Sequence, residues 1–398
     1  MINAEEALLI ILNSVPTLEP VTLALEHALG FALAEDIISL ENIPSFDNSG
    51  MDGYAVRAED VHQVPVTLKI AGEIAAGSVP QTVLRQGEAM SIMTGAPIPR
   101  GANAVVQIEW TEPADASGVK ILRSVSQHHN IRRLGADIQQ GANVLTRGSV
   151  LRPQEIGVLA SLGKRFVKVY RKPEVAVLTT GNEVLDIDRP MVAGKVRNSN
   201  AYSLVASVGQ TGCTAYNLGI AKDEQDDLQQ KISEGLKKDL LITSGGISVG
   251  KYDLVMETLK ALGVEIKFWK INIKPGMPLM FGLYAGKPVF ALPGNPVSTL
   301  ITFLQFVKPA LMKMMGYQAD NTRIMLCAML EEEIKKTDGK RHFIRGVLSN
   351  NNGSLVVRTS GAQVSNILTS VTKANCLIIM REEEELIRSG EMVEIQLL

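Results

Sequence analysis

The run DLLITSGGISVGKYD, residues 239–253, decides the fold of the segment around it. Leu240, Leu241 and Ile242 make a short apolar strand that opens into Thr243-Ser244-Gly245-Gly246, with a helix expected from about Tyr252 and Asp253. Paired glycines let a ligand approach the backbone, and amides freed at a turn or helix start attract phosphate. A second apolar strand, Val289 to Leu292, opens the same way into Pro293-Gly294-Asn295-Pro296 and another helix. Two such loops at strand exits of one alternating β/α segment predict a single anion-binding crevice. Its candidate binding residues are Ser244, Gly245, Gly246, Ser248 and Gly250 in the first loop, and Pro293, Gly294, Asn295 and Pro296 in the second. Lys270 and Lys274 fall between the loops in FWKINIKPGMP. Four-residue spacing on a strand puts both on one face, where they would neutralise an anion; a solvent-facing pair is the plain alternative.

Outward from this run, residues 173 to about 316 alternate: strand VAVLTT, helix SNAYSLVASVGQ, strand TAYNLGI, helix DEQDDLQQKISEGLKK, strand DLLITS, helix DLVMETLKALG, strand EIKFWKI, strand PVFALP and helix PVSTLITFLQFVKPALMKMMG. The core strands are continuously apolar, as buried parallel strands are. The last helix has Asn295 as cap, Pro296 in its first turn and Gly316 as stop, with a kink expected at Pro309. This is a three-layer α/β domain, assigned residues 173–320. Before it, a helical pattern from Ala4 leads to the strand-like FALAEDIIS, and Pro44-Ser45 mark a boundary. Short β-like runs with frequent Gly and Pro then predict a β domain over 44–130. It is inserted into a mixed α+β domain formed by 1–43 and 131–172. After it, short strands over 321–398 predict a C-terminal β barrel, with a sandwich as the alternative.

Composition excludes several classes. At 398 residues the chain should make two to four domains. Forty Lys+Arg against 42 Asp+Glu give a formal net charge of −2, not the basic surplus of a nucleic-acid binder. Cys213, Cys327 and Cys376 stand apart with no CxxC pair, and read as buried thiols of a cytosolic protein. His128-His129 lack neighbours at metal-ligand spacing. The chain lacks the apolar run of about 18 residues that a membrane helix needs. Glu5 and Glu6 precede the apolar Ala7–Leu12, so the N-terminus reads as a helix capped by Asn3, with Glu6 three residues on, and not as a signal peptide.

Candidate carboxylates gather at the same strand exits. Glu183 follows Thr180-Gly181-Asn182; Asp223 begins a helix, where an N-cap explains it equally well; Asp253 follows the first glycine loop. Parallel strands discharge at one edge, so the three can converge, and carboxylates beside phosphate-binding amides suit magnesium. In the N-terminal half, FDNSGMDGYAV with Asp52, MTGAP with Thr94, and the bridge residues Arg132, Arg133 and Asp137 are equally well explained as a turn, a hairpin end and a surface salt-bridge set. No Ser-His-Asp or Cys-His arrangement suggests a protein nucleophile.

Taken together, FDNSGMDGYAV, SIMTGAPIPRGANAVVQIE, RRLGADI, LTTGNEV, RNSNAYSL, LLITSGGISVGKYD, KPGMPLMFG and ALPGNPVST resemble the molybdopterin molybdenumtransferase family, MoeA, to which gephyrin's E domain and a plant counterpart are similar. The C-terminal region matches more loosely, through Phe343-Ile344-Arg345-Gly346 and the Ser365–Asn375 segment. The resemblance implies a four-domain homodimer whose α/β domain is similar to the MogA adenylyltransferases. It implies insertion of molybdate into adenylylated molybdopterin with release of AMP, a divalent cation, and a cleft shared between subunits. It assigns catalytic roles to Asp52, Thr94, Glu183, Asp223, Asp253, Lys270 and Lys274, and substrate binding to Arg132, Asp137, Arg345 and Ser365. Magnesium would be held by Asp223, Asp253 and Glu183. A cytoplasmic setting and transient contact with a MogA-like adenylyltransferase are further expectations. Three positions depart from the pattern: Met277 stands where a third lysine is frequent, Lys251 where Glu is frequent, and Asn366 where His is common. Adenylyl transfer to molybdopterin and a gephyrin-like scaffold are the alternatives. The loop lacks the Arg-Asp-x-Thr-Pro pattern of the former, and the chain has no disordered linker to support the latter.

Overall fold

The computed structural model describes residues 1–115, 117–247, 254–318 and 324–398. Ser248, Gly250, Lys251 and Asp253, and the expected helix start at Tyr252, lie outside the described residues. Two compact units form. One comprises Met1–Glu35, Arg147–Gly157 and Arg165–Leu398; the other comprises Asp36–Thr146 and Val158–Lys164. Among the described residues no helix is long and apolar enough to cross a membrane.

The first unit holds the alternating segment: β1 (Glu174–Thr180), α1 (Ser199–Gln210), β2 (Thr214–Ala221), α2 (Gln225–Gly235), β3 (Leu240–Ser244), α3 (Leu254–Ala261), β4 (Glu265–Lys270), β5 (Pro278–Tyr284) and β6 (Lys287–Leu292). The sheet order is β2-β1-β3-β6-β5-β4. The first four strands are parallel, whereas β5 and β4 add as an antiparallel pair at one edge. Pro278–Tyr284 was not expected as a strand; β5 is an additional strand between β4 and β6. Ala285 and Gly286 both adopt positive φ, which makes a two-residue hairpin between β5 and β6 where a crossover would otherwise be needed.

Alternate residues of the strands face two cores. Val175, Val177, Leu240, Ile242, Phe290 and Leu292 pack with α1 and the helices after β6, while Ala176, Leu178, Leu241, Val289 and Ala291 pack with α2 and α3. This is the expected three-layer arrangement. The helix after β6 runs α from Pro296 to Thr302, π from Phe303 to Val307, and α again from Lys308 to Met314. Pro309 has no N–H for the ladder, and the wide turn before it absorbs that loss. Gly316 stops the helix at φ +75°, and a Cβ there would fall 2.0 Å from Tyr170 Cδ2. The N-terminal helix Ala4–Ser14 is capped as expected: Asn3 Oδ1 accepts from Glu6 N at 2.7 Å.

Met325–Leu330, Arg341–Asn351, Ser354–Thr359, Cys376–Met380 and Met392–Leu397 close into a five-stranded barrel around Ala328, Leu330, Ile344, Val357, Ile378 and Ile395. Burial pushes the Cys213 and Cys376 thiols up to about 11. Cys327, by contrast, is exposed, because Ala328 takes the inward position on that strand.

The second unit is built on a six-stranded sheet in the order Ala104–Gln107, Gly53–Val56, Glu88–Ile92, Val66–Ile74, Gly118–Ile121, Thr111–Asp115. Only Val66–Ile74 and Glu88–Ile92 pair in parallel. Gly53 is required where two strands touch, since a Cβ there would lie 2.0 Å from Val106 O.

Candidate active site

The C-terminal ends of β1, β3 and β6 open into a crevice of about 640 Å³. Both glycine loops line it, as do Glu183, Asn198–Asn200, Met277, Pro278 and Asn366. Ser244, Gly245, Gly246, Pro293, Gly294, Asn295 and Pro296 thus come together as expected. Gly245 and Gly246 have φ of +95° and +69°, and a Cβ on Gly245 would sit 2.5 Å from Thr180 O. Only glycine accommodates both the left-handed backbone and the close approach.

Asn200 joins the loops. Its Nδ2 donates to Ser244 Oγ at 2.9 Å and to Gly294 O at 2.8 Å. Ser244 Oγ and Thr299 Oγ1 in turn donate to Pro293 O, at 3.2 and 2.6 Å. Asn198 caps α1, accepting from Ala201 N at 3.1 Å. Two buried acceptors on the crevice wall, Asn200 Oδ1 and Thr180 Oγ1, have no partner among the described residues. Sequence reasoning assigned no role to Asn198, Asn200 or Thr180. The available signal was Asn-x-Asn in RNSN, at a helix start facing the strand exits.

Asn295 occupies the cap position, but its side chain makes no cap bond. Its Nδ2 instead donates to Ser365 Oγ at 3.2 Å, and Val297 N donates to Ser365 O at 3.2 Å. Ser365 is thereby held behind the second loop, and Asn366 faces the crevice.

Two of the three candidate carboxylates lie among the described residues. Glu183 is exposed on the wall. Asp223 is not a helix cap: α2 begins at Gln225, and Asp223 Oδ2 accepts from Asn182 N at 3.0 Å. Asn182 Oδ1 accepts from Asp223 N at 3.2 Å in return, which ties Asp223 to the residue before Glu183.

The lysines do not share one strand face. Lys270 ends β4 in the α/β sheet, whereas Ile273–Lys274 pairs with Arg341–His342 at the start of a barrel strand. The chain turns between them, with Ile271 N donating to Met277 O at 3.0 Å, so the period-2 argument fails. Lys270 Nζ sits 3.9 Å from the Trp269 ring centroid. Lys274 Nζ pairs with Asp338 Oδ2 at 3.3 Å. Burial pushes the Asp338 carboxyl up, but the His342 ring, the Lys340 amide and Lys274 outweigh it and hold the group at about 2. Burial likewise lowers His342 below its usual value, despite that carboxylate.

Arg345 is 1% exposed, and because its neighbour Ile344 takes the inward position, it lies on the outer face of the barrel strand beneath residues 362–370. Its guanidinium donates to Ser370 Oγ, Ala362 O and Val364 O, each at 3.2 Å, and burial lowers its pKa. Arg345 and Lys274 border a second cavity of about 360 Å³.

In the other unit Asp52 and Thr94 meet: Thr94 N and Oγ1 donate to Asp52 Oδ1 at 2.6 and 2.9 Å. The amide and then the hydroxyl lower the Asp52 pKa. Arg132 and Asp137 are exposed and form no ion pair among the described residues; the bridge's pair is Arg133 with Asp47.

Comparison with known proteins agrees with this geometry. Residues 2–163 match the MoeA N-terminal region (domains I and II), residues 176–313 a probable molybdopterin-binding domain, and residues 328–398 the MoeA C-terminal region (domain IV). A molybdopterin molybdenumtransferase of Haemophilus influenzae is 37% identical over 376 residues, covering 94% of this chain and 93% of that protein. One from Staphylococcus aureus (strain MRSA252) is 36% identical over 402 residues, covering 99% and 95%. The crystal structure of a molybdopterin biosynthesis MoeA protein from Pyrococcus horikoshii OT3 is 32% identical, covers 100% of both chains and superposes with a TM-score of 0.87. The chain belongs to the molybdopterin molybdenumtransferase (MoeA) family.

Proposed function

We propose that this chain inserts molybdate into the dithiolene of adenylylated molybdopterin, releasing AMP and molybdenum cofactor. The observation that carries the reading is the crevice itself. Two glycine-opened loops, locked together by Asn200, offer backbone amides and helix starts to phosphate at one sheet edge. The unpartnered Asn200 Oδ1 and Thr180 Oγ1 suit the N–H groups of a pterin or purine ring.

The chemistry divides accordingly. Water cleaves the phosphoanhydride, giving AMP and the pterin phosphate; the two dithiolene thiols release protons as a molybdate oxygen leaves as water. The chain's role is to hold these partners and screen their charge. Thr94, Arg345 and Ser365 are the candidates for molybdate, and Lys270 and Lys274 for the phosphates. Asp52 stays ionised beneath the Thr94 donors and is available for a cation or a proton.

Among the described residues no group of three His, Cys, Asp or Glu converges as a metal site. Magnesium asks less, taking one or two carboxylates and completing its shell with phosphate oxygens and water. Glu183 on the wall and Asp223, hydrogen-bonded to the neighbouring Asn182, fit that demand, with Asp253 the further candidate. A bound magnesium ion would stabilise charge on the leaving phosphate. A homodimer, transient contact with a MogA-like adenylyltransferase and a cytoplasmic setting belong to the same reading.

The test is direct. The purified chain, given magnesium, molybdate and adenylylated molybdopterin, should release AMP, measured chromatographically. Release no faster than in a protein-free control would refute the activity; sedimentation as a monomer at micromolar concentration would refute the dimer.

A further inference from the structure

The crevice wall has little positive charge of its own. Its one lining cation among the described residues is Arg197, whose Nη1 is engaged by the carbonyls of Ile187 and Arg189, and Glu183 offsets it. Lys270 rests on Trp269, and Lys274 is tied to Asp338. One further ammonium reaches the wall. Lys340 Nζ lies 3.8 Å from Sδ of Met277, and Met277 lines the crevice.

The backbone at Lys340 is fixed. Its N–H donates to Asp338 Oδ1 at 3.3 Å, and its carbonyl accepts from Lys336 Nζ at 2.7 Å. The neighbouring Gly339 O accepts from Asn272 Nδ2 at 2.8 Å. The head is different. A thioether is a weak acceptor, and Lys340 forms no ion pair among the described residues. Lys340 is half-buried, so its ammonium is held close to the wall and not extended into bulk solvent. It raises the potential beside two loops of backbone amides.

We propose that Lys340 is an anion-binding residue of this crevice, reaching a phosphate-bearing ligand across the Met277 side chain. This rests on the phosphate reading above. Calorimetric titration of the full chain with AMP and magnesium, at low and high salt, tests it. At low salt Lys340→Gln should weaken AMP binding by about fivefold, the effect of one unit charge acting over several ångströms in a partly hydrated site. The loss should shrink at high salt, where screening is strong. Lys340→Arg should stay within about twofold of the wild type, because it keeps the charge. A Met277→Lys substitution added to Lys340→Gln should recover affinity, because it restores the charge at the same wall. AMP affinity of Lys340→Gln within about twofold of the wild type, with the wild type binding, would overturn this inference alone. A wild-type chain that takes up no AMP would overturn the phosphate reading and this inference together.

Discussion

Replacing Asn200 by alanine tests whether one side chain holds the two loops as a unit. Asn200 is 7% exposed, and its Nδ2 makes both the 2.9 Å bond to Ser244 Oγ and the 2.8 Å bond to Gly294 O. The Asn200→Ala variant removes both and leaves a carbonyl and a hydroxyl short of a donor. Ser244 Oγ retains only its role as donor to Pro293 O. A net hydrogen bond contributes about 1 kcal/mol and an orphaned buried acceptor costs up to about 3, so about 2–3 kcal/mol is lost. That loss falls on the local equilibrium holding one loop against the other, since the sheet core beneath is untouched. The opening constant should rise about 30- to 150-fold. Amide hydrogen exchange reads this change. Gly245 N–H, bonded to Leu292 O at 3.1 Å, and Thr299 N–H, bonded to Asn295 O at 2.9 Å, should lose protection by that factor, while amides inside β1 keep theirs. Asn200→Asp conserves size but turns a carboxylate toward two acceptors, and should be at least as disruptive at neutral pH. Unchanged protection at Gly245 and Thr299 in both variants would refute the argument.

Four further perturbations follow from the structure. Gly246→Ala places a Cβ 2.3 Å from Val255 Cγ2 at φ +69°, so beyond a backbone cost of about 1–2 kcal/mol the loop must move; AMP affinity should fall at least about tenfold, and a calorimetric value near wild type would contradict this. Arg345→Ala strips three acceptors and empties a fully buried volume, a loss of about 3–5 kcal/mol in urea denaturation, and a loss under about 1 kcal/mol would rule out the structural part of its role. Asp338, held at about 2 against an ordinary 3.8, contributes stability that is complete above the ordinary value and lost as pH falls toward 2; the gap in urea midpoint between wild type and Asp338→Asn should close over that range. His342, also lowered, favours the fold above its usual pKa, so wild type should lose ground to His342→Gln between about pH 7 and 5, and a widening lead for wild type would reverse that sign.

The α/β domain was legible because buried parallel strands read as continuous apolar runs and glycine pairs mark their exits. β1, β3 and β6 and both loops fall where those signals predict. The antiparallel edge was missed: Pro278–Tyr284 was not read as a strand, since it follows the Lys274-Pro275-Gly276 turn and joins β6 through the short Ala285-Gly286 turn. Asn200 was missed for a physical reason: an asparagine at a helix start reads as a cap, and its reach to a loop distant in sequence, Gly294, is tertiary. Asp223 erred the other way, for a plausible cap turned out to be fastened to Asn182 across the sheet edge. Arg345 was singled out as a substrate-binding residue through the resemblance alone, and its burial was not expected, since arginines are mostly exposed. Nothing local announces that the segment carrying Ala362, Val364 and Ser370 covers it.

The failure of the lysine pattern carries a consequence for binding. Lys270 terminates an α/β strand and Lys274 extends the barrel sheet, so the cations assigned to one anion belong to two different sheets. Asp338 holds Lys274 from the barrel side, and Lys340, two residues on, contacts the crevice through Met277. An anion that engages the glycine loops and these ammonium groups together must therefore stabilise the junction between sheet and barrel, because ligand binds only the arrangement that presents both. Saturating AMP should raise the protection of the Ile273 amide, which donates to Ile271 O at 2.9 Å within this junction, along with that of the loops. Protection gained in the loops alone would mean that the phosphate lies wholly within the α/β domain and that the barrel's cations serve another anion, for which molybdate is the candidate.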